Sequence, residues 1–567
     1  MEPPWVVPAL PPAALLPAPA PGPPDLPDVW LPEDVQRLGR LLPPNEVALI
    51  LRLVNKATAQ QLRGPQHATV RLSQPVLHRE FARRWAGPGA MRCLTRWRRY
   101  HLTRLTARSG SIANLELLLA RGGVHGPLNL DVLAAAANAG HVGVCAWLRE
   151  QGCPFNEHAL REAAAGGHRA VCEWLLASGW MQGSDVGGAA GAAAAAAAEK
   201  GHVGLMDWLL LRAGTLDTVK VGDLLRGAAA GCDLPTLQRL HRKYVASSNG
   251  DEEPWDEEDE VEPWGVLAAA AASSTSCWRA KVEWLEARGL QQAAAHACKE
   301  AASRPDALSR LVWLRQHGHP LTSEVANVAA ELGNVEVLRH VLDHGVALED
   351  SVLSHAANCG HVAVMELLHA RGVPIGGEAV TEAAEGGHLP ALAWLVERLG
   401  IATALTADVF AAAAASGSME AMAWLRQRGC PWDETTFTAA AEHGSEEQLE
   451  WLAAQGCPMG DLGIPYAHPA ATGELGMLCC LQRLGCPWAP GGRTFTLAVE
   501  RLVEDAEVEF NEHVKSSLCW LLDQGCPVSW EEAETAATED EELAEWLENQ
   551  RIDRYFAARG HGSTFGY

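Results

Sequence analysis

The stretch ANCGHVAVMELLHARGVPI at 357–375 holds two helix-end signals and one buried helix face. Gly360 and Gly372 are stop signals, because a left-handed residue just past a helix costs little for glycine. Pro374 cannot continue a helix. Between them Val364, Leu367 and Leu368 fall at i, i+3 and i+4, which predicts a core-facing stripe. The Ala-rich SHAANC at 354–359 predicts a first helix ahead of the turn. A helix of about ten residues is marginal alone, so such a pair must stack on neighbours.

The neighbours are there. ANAGHVGVCAWLREQGCPF (137–155), AASGSMEAMAWLRQRGCPW (414–432) and AEHGSEEQLEWLAAQGCPM (441–459) carry the same order of parts. The Trp-Leu position, or its equivalent, falls at Leu118, Trp147, Trp174, Trp208, Leu240, Trp284, Trp313, Val341, Leu367, Trp394, Trp424, Trp451, Cys480, Trp520 and Trp546. Most steps are 26 to 30 residues, and the longest, 44 and 40, hold insertions. The copied tryptophan explains why the chain has 21 Trp against 8 Phe and 5 Tyr. The A-A-x-x-G-H turn, the V-x-V-x-x-W-L helix and the closing Gly resemble the ankyrin repeat in a short form of about 28 residues. The T-P-L-H opening of that family is absent, and G-C-P-W/F stands where its hairpin finger would be. The resemblance implies an all-α, ankyrin-type helical-repeat solenoid of about 14 units over 105–550, with a small N-terminal helical module.

Composition narrows the function. The 567 residues carry a formal net charge of −25, which argues against a charge-driven binder of nucleic acid or membrane. Hydrophobic residues make up 48%, enough for buried cores. No phosphate loop, nucleophile elbow, zinc helix, EF-hand loop or kinase motif set occurs, so neither an enzyme nor a cofactor is expected. The 15 cysteines include no C-x-x-C, and no metal site is expected. The G-C-P cysteines Cys153, Cys430, Cys457, Cys486 and Cys526 stand at equivalent positions, which even in adjacent units lie too far apart for disulfides, and read as small buried turn residues. His141, His168, His202, His361 and His388 occupy one turn position and read as imidazoles bonded to turn backbone between repeats. The repeat tryptophans read as core. Trp432 and Trp488, which follow G-C-P at a loop edge, are the candidates for a partner-binding surface. No run of eighteen apolar residues and no secretory signal is seen, so an intracellular chain, cytoplasmic or nuclear, is expected.

The N-terminal part differs. Residues 1–27 are Pro-rich and read as a disordered tail. From Leu31 to Arg121 there are 16 basic and 5 acidic residues, a local +11, densest from Arg79 to Arg108. Residues 64–104 read as a basic connector. In the array, 245–265 is an acidic insertion, a second insertion lies near 500–514, and 551–567 is a C-terminal tail. Within 28–63, Leu31-Pro32-Glu33, Leu41-Leu42-Pro43-Pro44-Asn45-Glu46-Val47 and Leu51-Arg52-Leu53-Val54-Asn55-Lys56 resemble an F-box. Ala57-Thr58-Ala59 stands where that family usually has Trp, and Gly39-Arg40 where an aliphatic pair is common. The resemblance implies a three-helix segment that docks the adaptor subunit of a cullin-type ubiquitin ligase. Leu31, Pro32, Leu42 and Pro43 would meet the adaptor, while Leu49 and Leu53 close the core. The alternative is a helical cap over the first repeat. The expected function is a non-enzymatic protein-interaction scaffold, or in its fuller form a ligase substrate receptor. The expected partners are proteins, without nucleic acid or membrane, and the chain is expected to be a monomer.

Overall fold

A computed structural model describes residues 7–8, 32–120, 129–179, 185–214, 220–245, 264–289, 294–504 and 510–560. The fold is a run of short helices in pairs. Where the stretch at 357–375 predicts two helices, they are Val352–Asn358 and Val362–Ala370. The first ends on Gly360, at φ 74°, with His361 N–H bonded to Ala356 O at 2.9 Å and Gly360 N–H to Ala357 O at 3.0 Å. This double closure caps carbonyls that the helix leaves open and needs a left-handed residue. Gly372 ends the second helix in the same way, at φ 85°.

The first helices start on side-chain caps. Asn129 Oδ1 accepts Val132 N–H, Asn156 accepts His158 and Ala159 N–H, and Thr406 accepts Val409 N–H. Such caps satisfy amides that the first turn exposes. Along Glu378–Glu385, Ala379, Val380, Ala383 and Ala384 are buried, and this pattern recurs. Small side chains let each first helix lie against the first helix of the next unit.

The chain separates into two compact bodies. One comprises Met1–Ala90, Tyr100–Val124 and Leu128–Trp180; the other comprises Met91–Arg99, His125–Pro127 and Met181–Tyr567. In the first body, Leu130–Asn138 packs on Glu157–Ala165, and Val142–Glu150 on Arg169–Ala177. In the second, first helices contact in sequence from Asp185–Glu199 to Trp530–Ala536. This is a tandem helical-repeat fold. The strand pairing among the described residues is Val7–Pro8 against Thr69–Val70, and no strand occurs at the described G-C-P turns.

The buried stripe is not quite the expected one. In Val362–Ala370 the buried residues are Val364, Met365 and Leu368, whereas Leu367 is half-buried. The tryptophans at this position follow suit: Trp147, Trp174, Trp284, Trp313, Trp424 and Trp451 are half-buried. The leucine after each of them is fully buried. The reading of these six tryptophans as core is therefore corrected, whereas Trp208 and Trp394 are buried as expected. A ring at i+3 from a buried residue lies at the flank of the helix interface, and its neighbour at i+4 faces inward.

Several expected boundaries fall outside the description: most of 1–27, all but the ends of the 245–265 insertion, and 505–509 of the second. Helices Arg493–Glu504 and Glu512–Asp523 flank that last gap. The final helix, Glu541–Gly560, runs into the expected tail.

Candidate interaction surfaces

At the N-terminus, three short helices, Pro32–Leu41, Pro44–Leu49 and Lys56–Gln61, surround a core of Val35, Val47, Leu51 and Leu62. Asn55 and Thr58 form a reciprocal capping box at the start of the third. Asn45, 3% exposed, donates from Nδ2 to Arg71 O at 2.8 Å and Pro75 O at 3.1 Å, and its Oδ1 accepts Arg71 N–H at 2.7 Å. One buried amide thus ties the following loop to the module. Further on, Asn114 Nδ2 donates to Val76 O at 3.0 Å.

The structure redistributes the expected adaptor-facing residues. Leu31 lies outside the described residues, and Pro32 begins the first helix. Pro43 is exposed at the start of the second, but Leu42 packs against the core. Leu49 is half-buried, while Leu53, expected in the core, is 60% exposed. The exposed apolar set is Leu38, Leu41, Ile50, Leu53 and Val54, with Leu41 at 73%. The sequence hid this because Leu51, not Leu53, takes the inward position of the short 3-10 turn at Leu51–Leu53.

The loop-edge tryptophans are not set apart from the repeat tryptophans. Trp432 is half-buried, its ring 5.1 Å from Phe410 and 6.5 Å from Trp451, with the Arg426 guanidinium 3.8 Å above it. Trp488 is half-buried against Tyr466 at 4.1 Å. A second pattern recurs on the helices themselves. The arginine four residues on stacks over Trp208, Trp284, Trp394 and Trp424, with Arg212, Arg288, Arg398 and Arg428 at 3.7, 3.8, 4.1 and 3.8 Å.

Histidines and thiols tie the units. His141 Nε2 meets Arg108 O at 3.1 Å, and His361 Nε2 meets Glu331 O at 2.9 Å, each the end of the preceding first helix. A Cβ on Gly360 would come within 2.6 Å of the His388 ring, so the turn glycine also makes room for the next imidazole. Units lacking Gly-His find substitutes. Lys281, fully buried, donates to Ala229 O, Cys232 O and Ser273 Oγ at 2.5, 2.8 and 2.7 Å. Burial pushes its pKa down to about 8. Arg310 Nη1 reaches Ala271 O at 2.6 Å, and Gln448 Nε2 reaches Ala414 O at 3.2 Å. The G-C-P thiols act within a unit: Cys153 Sγ donates to Asn129 O and Cys430 Sγ to Thr406 O, both at 3.3 Å, and Cys457 Sγ to Asp433 O at 3.7 Å. Burial raises all five G-C-P thiols to about 12, which leaves them poor nucleophiles and poor ligands. Among the described residues no cluster of metal-ligating side chains occurs, and no helix is long and apolar enough to cross a membrane.

No protein-family model matches the chain, and no curated protein matches it. Among solved structures it is similar to the pentatricopeptide repeat protein PPR10 from maize, at 13% identity and a TM-score of 0.25, covering 79% of this chain and 74% of that one. PPR10 in complex with an 18-nt psaJ RNA element matches at 14% identity and a TM-score of 0.24, covering 80% and 75%, and a cysteine-to-serine variant of that complex matches equally. The expectation that nucleic acid is no partner is withdrawn, because its physical premise was too coarse: a net charge of −25 coexists with a local +11 over 31–121.

Proposed function

We propose that the chain is a non-enzymatic binding scaffold of ankyrin-type repeats, and that its N-terminal module docks the adaptor subunit of a cullin-type ubiquitin ligase. The carrying observation is the exposed set Leu38, Leu41, Ile50, Leu53 and Val54 on a module with its own closed core. A helix pair that served only as a cap would turn its apolar side chains toward the array. Apolar side chains concentrated on one small module mark a contact surface. In this reading the repeats hold the target and the module presents it to the ligase. The ankyrin type rests on the paired helices, the Gly-His turn and the unit length. Trp432 and Trp488 offer the open part of their rings to a target.

The test is capture of purified adaptor by the full chain and by a Leu41→Asp, Leu53→Asp variant, with circular dichroism on both. The expected result is capture by the unchanged chain alone, with equal helix content. Failure of the unchanged chain to bind removes the ligase role and leaves the scaffold.

A further inference from the structure

Residues 91–99 lie against units whose sequence is more than 300 positions away. Arg92 Nε bonds Glu446 at 2.9 Å, its Nη2 bonds Glu450, and its carbonyl accepts Glu447 N–H at 3.3 Å. Arg96 faces Glu474 at 3.8 Å and His468 at 3.4 Å. Arg99, 5% exposed, pairs with Glu474, itself 9% exposed. Arg92 lies in the turn before the helix Arg96–Arg108, and Arg96 and Arg99 fall at i and i+3 in the first turn of that helix.

The array is altered to receive them. Where five units carry Gly-His, three consecutive ones carry Gly417-Ser418, Gly444-Ser445 and Gly473-Glu474. The Thr95 methyl closes on the Cβ direction of Gly417, as the next unit's imidazole does at Gly360. Thr95 therefore takes the place of a missing histidine ring, and Glu474 stands at a histidine position facing Arg99.

We propose that residues 91–99 are a displaceable strap, an internal ligand covering a face of the array that binds arginine-bearing protein segments. The face comprises Gly417, Glu446, Glu450 and Glu474, and a partner's segment gains it by displacing the strap. The contacts of Arg92 and Arg96 are partly solvated ion pairs, which salt screens. Gly87, Pro88 and Gly89, the last at φ 73°, precede the strap in a turn. Tethering gives the strap a high effective concentration, so a free segment competes only once the strap is weakened. The proposal is independent of the adaptor reading, since the strap lies outside the 28–63 module.

The probe is a labelled synthetic peptide of residues 86–108. The full chain is compared with Arg92→Gln, Arg96→Gln, Arg99→Gln, and with that variant also carrying Glu446→Gln and Glu474→Gln. The expected result is capture by the triple variant at least about tenfold tighter than by the unchanged chain, and lost in the quintuple variant. Equal capture by all three proteins, or none by a folded triple variant, overturns it. Because the triple variant puts folding at risk, hydrogen exchange on the unchanged chain is the second measurement. Raising salt from about 0.05 to about 0.5 M should strip protection from 91–99 and from Glu447, whose N–H the Arg92 carbonyl accepts, while Met419–Gln427 and 449–454 keep theirs. Loss of protection in 91–99 only together with those helices overturns the strap.

Discussion

Raising the pH from 7.5 to 10 isolates the buried lysine that stands in for a missing histidine. Lys281 has a folded pKa of about 8 against an ordinary 10.5, because burial penalises the ammonium. Between those values the unfolded chain binds more protons than the folded one, so the Lys281 contribution to stability rises with pH. Integrated from pH 7.5 to 10, one proton with these two pKa values adds roughly 2 kcal/mol. The buried thiols act in the opposite direction: their raised pKa values make them lose stability as pH climbs through the unfolded thiol range near 9. A Lys281→Met variant keeps that thiol background and much of the side-chain volume. Urea unfolding of both proteins, followed by circular dichroism at several pH values, should give a stability difference that moves toward the unchanged chain by about 2 kcal/mol. A difference that stays flat with pH would show that Lys281 is not held among those three acceptors.

Leu368→Ala should cost about 2–5 kcal/mol, and Trp174→Ala less than full burial of its ring would imply, by urea unfolding; equal or reversed costs would contradict the flank position of the tryptophan. His361→Ala removes the bond to Glu331 O and should cost about 1 kcal/mol, read as faster exchange in Ser323–Glu331. A thiol reagent on the native chain should modify exposed Cys479 well before the five G-C-P cysteines; simultaneous reaction would mean that the turns open locally.

The repeat was legible because its punctuation is chemical. Glycine at a left-handed turn and proline after it mark helix ends in any context, and they mark Gly360, Gly372 and Pro374 correctly. The burial of individual side chains was less legible. Val364, Leu368, Trp208 and Trp394 face inward as expected, but Leu367 and six other repeat tryptophans sit at the flank, because helix periodicity alone does not fix how far an interface wraps. In the N-terminal module a 3-10 turn shifts the inward residue to Leu51, and a pattern of alternating leucines cannot reveal that shift. The strap was the least legible feature. Its signal was present as Ser418, Ser445 and Glu474 at positions occupied elsewhere by histidine, but substitutions in a degenerate repeat name no partner until contacts are seen. The arginines read as a basic connector are partly neutralised in place by Glu446, Glu450 and Glu474.

The division of labour between thiol and imidazole bears on how such a chain grows. Cys430 and Cys457 each bond the cap residue 24 positions earlier, and the two cysteines stand 27 positions apart. The imidazole bond runs the other way, to the unit before. Excise 27 consecutive residues anywhere between Thr406 and Cys457, and one thiol still stands 24 positions after a cap residue. An in-frame exchange of this pair of units therefore keeps the thiol-to-cap bond. Units that have drifted to Lys281, Arg310 or Gln448 lose that freedom, because each now fits one neighbour only.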